Sequence, residues 1–235
     1  HLLEVALDAR VGLIGTNGNM IGSEFLHTER TTPESYELQK LFREMADSGC
    51  THVVMEVSSH SLVLHRVAGI HFAVGIFTNL TQDHLDFHHT MEAYAEAKAE
   101  LFNMCSAAAI NLDDGWAQFM LDRCRCPVLT FGESGRAGLR AEDIALSASG
   151  VEFTAEYGGQ RRRISLGIPG MFSVHNALGV MACALCLGLD LESCRRALAD
   201  AKGVKGRVEV VPTDGDYTVL SDYAHTPDAL ENVLR

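Results

Sequence analysis

Short apolar segments alternate with segments of helical periodicity along the first half of this chain. The apolar segments are four to seven residues long and predict the strands Val11–Ile14, His52–Val57, Phe72–Thr78, Ala108–Asn111 and Pro127–Phe131. The segments with helical spacing are Pro33–Ser48, Thr90–Met104 and Asp113–Arg123. Because strands that alternate with helices form a parallel sheet covered on both faces, the pattern predicts an α/β fold with a doubly wound, mostly parallel sheet.

The second half of the chain has a different sequence pattern. Residues Gly138–Gly167 alternate short polar and apolar steps around a Tyr157–Gln160 turn, which predicts a small antiparallel meander. Two helices are predicted next, at Gly170–Leu187 and Leu191–Ala201, followed by a hinge at Lys202–Gly206 and strands at Val208–Val211 and Tyr217–Ser221. We therefore expect one unit over residues 1–203 and the start of a second α/β domain over 204–235. Both ends lie within helical patterns, so we expect part of a longer protein.

The bulk properties exclude several classes of function. A net charge of −12 argues against nucleic acid or an anionic membrane as partner, since either binds a basic face. No apolar run reaches the roughly 18 residues that a membrane span needs. Seven cysteines, an odd number, predict reduced thiols and a cytoplasmic location. Cys183 and Cys186 lie in an apolar helix and are interpreted as packing residues, and we expect a monomer.

Polar side chains follow two of the predicted strands. Glu56 ends one strand and is followed by Ser58, Ser59 and His60, whereas His84 follows another strand within Thr78–His88. Each residue alone is compatible with an ion pair or a turn. Two such residues at neighbouring strand ends favour a divalent cation that also binds phosphate oxygens. His88 and His89 are predicted to cap a helix or to be solvated.

Lys98 lies on the Ala-rich helix that begins near Thr90, and two interpretations of it stay open. It can pair with Glu96 or Glu100 on an exposed helical face. Alternatively it is desolvated, which lowers the pKa of its amine and allows carbon dioxide to carbamylate it, giving an anionic metal ligand.

Two further segments suggest anion binding. Hydroxyls and free N–H groups at Thr31–Ser35, with Thr32 as the predicted helix cap, form an anion cradle that Ser58 and Arg66 can line. The loop Gly15–Gly18 follows a strand but has no lysine to reach a phosphate, so it predicts no phosphate loop.

Taken together, these segments resemble the Mur ligases, most closely the members that add the third residue of the peptidoglycan stem peptide. The resemblance covers nearly the whole chain and rests on several long motifs in the same order. The motifs are Thr31–Ser35, Met55–Ser61, Thr78–His88, Ala97–Phe102, Gly170–Ala177, Gly203–Glu209 and Ser221–Ala229.

The resemblance implies a sheet of the P-loop type, Mg²⁺ as cofactor and ATP as co-substrate. It implies that a UDP-muramoyl dipeptide carboxylate is phosphorylated and that an amino acid displaces the phosphate. It implies a central ATPase-type domain over 1–203 and a C-terminal ligase domain from 204. The implied residues are Glu56, His84 and carbamylated Lys98 for catalysis and metal, Thr31, Thr32, Ser58 and Arg66 for the muramoyl substrate, and Asn176, Arg207, Asp222 and His225 for ATP.

Three departures and three alternatives accompany this prediction. The family's phosphate-loop lysine and threonine would precede His1, the N-terminal domain is missing, and so is most of the C-terminal domain. A smaller departure is Leu64, where some relatives have a polar substrate contact. We therefore expect this chain alone to be inactive, and diaminopimelate and lysine both stay open as third residue. The alternatives are a folylpolyglutamate synthetase, which Ala224–Pro227 argues against, a metal hydrolase built on Asp83–His89, and a non-catalytic nucleotide-binding module.

Overall fold

The computed structural model describes residues 1–215, 217, 219–224, 230–231 and 233. The strands are β1 Val11–Ile14, β2 Asn19–Ile21, β3 Glu24–Leu26, β4 His52–Met55, β5 Phe72–Phe77, β6 Cys105–Asn111, β7 Val128–Gly132, β8 Leu139–Ser147, β9 Gly150–Tyr157, β10 Gln160–Leu166, β11 Glu209–Val211 and β12 Val219–Ser221. The helices are α1 Leu2–Leu7, α2 Ser35–Asp47, α3 Ser59–Val63, α4 Leu85–His88, α5 Met91–Ala99, α6 Ala117–Arg123, α7 Met171–Cys186 and α8 Leu191–Ala199, with a 3-10 helix at Glu100–Met104. No helix in this described part is long and apolar enough to cross a membrane.

The predicted α/β fold is confirmed. Six strands form one sheet in the order β10-β9-β8-β7-β6-β5, in which β5 to β8 are parallel and β8 to β10 form the antiparallel meander. A second sheet has the order β3-β2-β1-β4, and only its β1–β4 pair is parallel. The prediction of a single sheet is wrong for the described residues, because β4 pairs with β1 alone and β5 pairs with β6 alone.

The parallel part of the six-stranded sheet is packed on both faces, whereas one face of the β8–β10 meander is partly exposed. Successive side chains of a strand point to opposite faces. Along β6, Ala109 packs into the cluster built around α7, whereas Ala108 and Ile110 pack into the cluster of α5 and α6. His84 follows β5 of this sheet, whereas Glu56 follows β4 of the four-stranded sheet.

Several predicted helix boundaries are wrong, and local hydrogen bonds explain why. Helix α2 is capped by Glu34, which forms a capping box with Glu37. Thr32, the predicted cap, bonds to the backbone after β4 instead. The segment predicted as one helix from Asp113 begins only at Ala117, because the Asp114 carboxylate accepts from the N–H of Trp116 in a preceding turn.

Candidate functional site

The carboxylate of Glu56 is held directly after β4 by the loop that follows β1. The hydroxyl of Thr16 donates to Glu56 Oε2 at 2.6 Å, and the Thr16 N–H lies 3.2 Å from the same oxygen. The parallel register pairs Ile14 with Met55, so the residues that follow both strands must meet. A Cβ at Gly15 would lie 2.8 Å from Glu56 Oε1, which is why this close approach needs glycine. Thr16 was not among the predicted site residues, although the adjacent ends of β1 and β4 were the signal.

The predicted substrate residues lie around this carboxylate. Thr32 is 1% exposed, and its hydroxyl donates to Glu56 O at 2.9 Å and accepts from Ser58 N–H at 3.0 Å. Arg66 donates to Thr32 O at 3.3 Å and pairs with Glu34 at 2.9 Å. Its buried Nε has no hydrogen-bond partner in the described part of the chain. Thr31 joins the group through Thr16, with 2.9 Å between their hydroxyl oxygens. We call Thr16, Thr31, Thr32, Glu56, Ser58 and Arg66 the Glu56 side.

The second group of candidate residues is built from aromatic rings. His84 begins α4, and its ring lies 5.1 Å from His60 and 6.0 Å from Tyr94. His88 is only 6% exposed and stacks on Tyr94 at 4.8 Å, so the prediction of a capping or solvated His88 is wrong. Lys98 Nζ lies 5.2 Å from the centre of the Tyr94 ring. We call His60, His84, His88, Tyr94 and Lys98 the His84 side.

Burial dominates the electrostatics of the His84 side. It lowers the pKa of Lys98, and the carboxylates of Asp114 and Asp83 only partly oppose that shift. Lys98 has no hydrogen bond or ion pair among the described residues, and Glu96 pairs with Arg123. The structure therefore favours the desolvated lysine over the exposed Glu–Lys pair. Burial, followed by the neighbouring histidines, also lowers the pKa of His60 and of His88, which favours neutral rings.

Helix α3 connects the two sides, but the three predicted metal ligands are not in contact. Ser58 caps α3 beside Glu56, and His60 of α3 packs against His84. Within the described ranges, no hydrogen bond or ion pair joins Glu56 to His84 or Lys98. The Glu56 carboxylate fits a hard cation, which prefers oxygen ligands, and the His84 imidazole would add a less favoured nitrogen ligand. Both hydrogen bonds to Glu56 use Oε2, which leaves Oε1 for a ligand, and His84 offers an imidazole. The Lys98 ammonium has no lone pair and fits only after modification.

Another group of ligand atoms was missed by the sequence analysis. Asp113, Glu133 and His175 place one ligand atom each within 4.8 Å of the others. Asp113 and Glu133 follow the adjacent parallel strands β6 and β7, which supplied the signal, and His175 lies in the second turn of α7. Their carboxylates already have partners, because Asp113 accepts from the N–H groups of Glu133 at 2.6 Å and Ser134 at 3.1 Å. His175 lies 3.3 Å from Glu133. The capped loop and a His175–Glu133 hydrogen-bond contact therefore account for this group.

A cavity of about 750 Å³ brings together most of the residues predicted to bind ATP. Asn176, Arg207 and Asp222 line it, whereas His225 lies outside the described residues. Asp222 accepts from the N–H of Val208 at 2.8 Å. The rest of the lining is largely apolar and includes Val54 of β4. The cavity thus suits a flat apolar group with a few polar contacts at its rim.

Known proteins with similar sequences and structures were found for almost the whole chain. Two similar relatives are named UDP-N-acetylmuramoyl-L-alanyl-D-glutamate–2,6-diaminopimelate ligase. The one from Caldanaerobacter subterraneus subsp. tengcongensis is 49% identical and the one from Clostridium botulinum is 45% identical, each over 96% of this chain. The chain spans about half the length of these curated relatives, 47% in both cases. A solved structure of a ligase with that name matches 99% of the chain with a TM-score of 0.86 and 32% identity. MurF from Acinetobacter baumannii, at 19% identity and a TM-score of 0.76, shares the fold.

The family comparison covers the part of the chain in which both sides of the candidate site lie. Residues 1–184 match the Mur ligase middle domain. That range includes Glu56, His84 and Lys98, the arrangement of strand ends around them, and Asn176 at the cavity. The chain belongs to the Mur ligase family.

Proposed function

We propose that the complete gene product containing this chain is an ATP-dependent carbon–nitrogen ligase of peptidoglycan synthesis. It adds the third amino acid to UDP-N-acetylmuramoyl-L-alanyl-D-glutamate, and the names of the relatives favour 2,6-diaminopimelate over lysine. The observation that carries the proposal is the 49% and 45% sequence identity to those two relatives over 96% of the chain. In this proposal, residues 1–203 are the ATPase-type domain and residues 204–235 begin the ligase domain.

The reaction has two steps, and a negatively charged phosphate group is transferred in the first and leaves in the second. The terminal carboxylate of the dipeptide attacks the γ-phosphorus of ATP, ADP leaves, and an acyl phosphate forms. The amine of the incoming amino acid then attacks the acyl carbon, and phosphate leaves as the amide bond forms. When bound, Mg²⁺ offsets the charge of the transferring phosphoryl group. Glu56 and His84 hold this ion in our proposal, and Thr16 keeps the Glu56 carboxylate oriented.

Lys98 contributes as a carbamate. Its lowered pKa favours the neutral amine, whose nitrogen attacks the carbon of CO₂; one proton is released and an anionic carbamate results. Burial within an apolar helix face then leaves that anion with a strong preference for a cation. The carbamate would offer oxygen ligands to the metal that Glu56 and His84 would hold.

The remaining residues bind the two large substrates. Thr31, Thr32, Ser58 and Arg66 contact the muramoyl peptide, and the unpartnered Nε of Arg66 supports a role in anion binding. Asn176, Arg207, Asp222 and His225 contact ATP. The cavity shared by the first three supports that assignment. A monomeric state and a cytoplasmic location remain predictions from the sequence.

Phosphate release by the complete gene product tests the proposal. We expect release that requires ATP, Mg²⁺, the UDP-muramoyl dipeptide and diaminopimelate together, and that Glu56→Gln abolishes. Competition by folate would instead indicate a folylpolyglutamate synthetase. Turnover without ATP would indicate a hydrolase, and release with none of the usual third-position amino acids would reject the ligase.

A further inference from the structure

The helix that carries His84 cannot hold its own position. Helix α4 has only four residues, Leu85–His88, and its flanking residues His84 and His89 both have positive φ angles, 54° and 65°. Isolated helices shorter than about 12 residues are marginal in water even with favourable sequences. The place of the His84 ring therefore depends on what anchors α4 to the rest of the protein.

A buried hydrogen bond supplies such an anchor. His88 Nε2 and Ser59 Oγ lie 2.8 Å apart, and the two residues are 6% and 3% exposed. Ser59 is the first residue of α3, next to the cap Ser58 and three positions after Glu56. His88 is one helical turn after His84, and its N–H donates to His84 O at 3.0 Å. The hydrogen bond thus joins the segment that carries Glu56 to the segment that carries His84.

The other contacts between these two helices have less directional preference. The His60 ring lies 4.0 Å from the Phe87 ring and 5.1 Å from the His84 ring. Ring contacts of this kind tolerate sliding and tilting, whereas a hydrogen bond fixes a distance and an angle. Because both polar atoms are buried, the loss of either partner would also leave the other unsatisfied.

We propose that Ser59 and His88 are positioning residues that set the separation between Glu56 and His84, and so tune metal affinity. The proposal rests on the proposed function, because it assigns Glu56 and His84 to one metal site. It predicts that the Ser59–His88 pair acts on the metal without contacting it. Partners that orient metal ligands are generally worth about 10- to 100-fold in metal affinity or activity.

The test is the Mg²⁺ concentration that gives half-maximal phosphate release, measured with saturating ATP, dipeptide and amino acid. Ser59→Ala removes the hydroxyl, and His88→Phe keeps a ring that can stack on Tyr94 but removes the hydrogen bond. We expect each change to raise that concentration about tenfold, within the range for such partners. The double variant should be no worse than either single variant, since one interaction is lost. His88→Gln, whose amide can reach the same distance, should recover most of the affinity.

The chain offers a matched control with the same chemistry. His71 Nε2 and Ser106 Oγ lie 2.7 Å apart, and they join the residue before β5 to β6 on the surface. His71→Phe and Ser106→Ala should leave the Mg²⁺ dependence unchanged within about twofold, because neither residue adjoins Glu56 or His84. Equal shifts in the control pair and the Ser59–His88 pair would overturn the proposal. Additive effects of Ser59→Ala and His88→Phe, or a loss of rate that is the same at every Mg²⁺ concentration, would also overturn it.

A second measurement separates this proposal from the proposed function. Binding of Mn²⁺ to this chain, followed by the electron paramagnetic resonance signal of free Mn²⁺ in the presence of a non-hydrolysable ATP analogue, requires no ligase activity. Weaker Mn²⁺ binding by Glu56→Gln, Ser59→Ala and His88→Phe, but not by the control pair, supports the positioning role even if no phosphate is released. If only Glu56→Gln binds Mn²⁺ more weakly, the positioning role is rejected, whereas the assignment of Glu56 to the metal site stands.

Discussion

The Glu56 side and the His84 side of the candidate site are held together by different interactions. On the Glu56 side, Thr32 and Thr16 bond directly to the backbone and the carboxylate of Glu56. On the His84 side, rings pack against one another, and Lys98 has no hydrogen-bond or ion-pair partner among the described residues. The two hydrogen bonds at Oε2 hold the Glu56 carboxylate in place and leave Oε1 for a ligand. A buried amine without a partner loses part of its preference for the charged form, which makes it available for chemistry.

The largest expected effect concerns the amine that lacks a partner. Lys98→Ala should lower the rate of phosphate release by about 10²- to 10³-fold, the usual cost of one electrostatic contact to a transferring group. Acetate or propionate should restore part of the rate, because a short carboxylate can occupy the place of the carbamate. Neither acid should rescue Glu56→Gln, whose carboxylate site is already filled by an amide. Full activity of Lys98→Ala would defeat the carbamate proposal.

The next effect concerns the stability of the Glu56 side. Thr32→Val preserves shape but leaves Glu56 O and Ser58 N–H unsatisfied, which should lower the free energy of unfolding by about 2 to 4 kcal/mol. Thr28→Val is the control, since Thr28 donates to Arg30 O near the surface and should cost under about 1 kcal/mol. Urea denaturation of both variants measures the difference. Equal values for the two would contradict the role given to Thr32.

A smaller effect is expected at the rim of the Glu56 side. Arg66→Lys keeps the charge but loses the planar group that contacts both Thr32 O and Glu34, so the KM for the UDP-muramoyl dipeptide should rise about tenfold. The value of kcat should change little, because Arg66 binds substrate in this account and does not touch the transferring phosphoryl group. Arg43→Lys, on the exposed face of α2, provides the control. A fall in kcat with constant KM would contradict the assignment.

The smallest effect is a titration on the His84 side. Burial, with a smaller contribution from Asp83, raises the pKa of Tyr94 to about 12. The raised pKa means that Tyr94 contributes stability below the ordinary tyrosine pKa of about 10 and loses it as the pH rises through 12. Absorbance at 295 nm should therefore be the same for the wild type and Tyr94→Phe up to about pH 11 and should diverge above it. Divergence near pH 10 would show that Tyr94 is solvated.

The sequence pattern predicted the α/β fold and the strands of its parallel part, whereas most site residues were named from the resemblance to the Mur ligases. Alternation of short strands and helices identifies a parallel sheet, and polar residues after adjacent strands must meet at its edge. The pattern at the start of α2 predicted an anion cradle at Thr31–Ser35 that Ser58 can line, and in the structure Thr31, Thr32 and Ser58 lie around Glu56. Thr16 was not anticipated, because the loop after β1 was judged only by its lack of a lysine. Hydrogen bonding to a neighbouring strand end was the neglected signal.

The wrong predictions have a common cause: they depend on contacts between residues far apart in the sequence, which a local sequence pattern does not show. Threonine is a common helix-capping residue, and Thr32 lies just before α2. Its hydroxyl bonds to the backbone after β4, however, and Glu34 caps α2 instead. His88 is polar and lies near a helix end, yet Ser59, 29 positions away, gives its ring a buried partner. The local pattern likewise does not show that β4 pairs with β1 and β5 with β6.

Anomalous scattering from Mn²⁺ in crystals of the complete gene product with a non-hydrolysable ATP analogue tests the central claim most directly. The account predicts a peak liganded by Glu56 Oε1 and the His84 imidazole, with density for a carbamate beyond the Lys98 amine. A peak only between Asp113, Glu133 and His175, with Glu56 and His84 left without an ion, would contradict it.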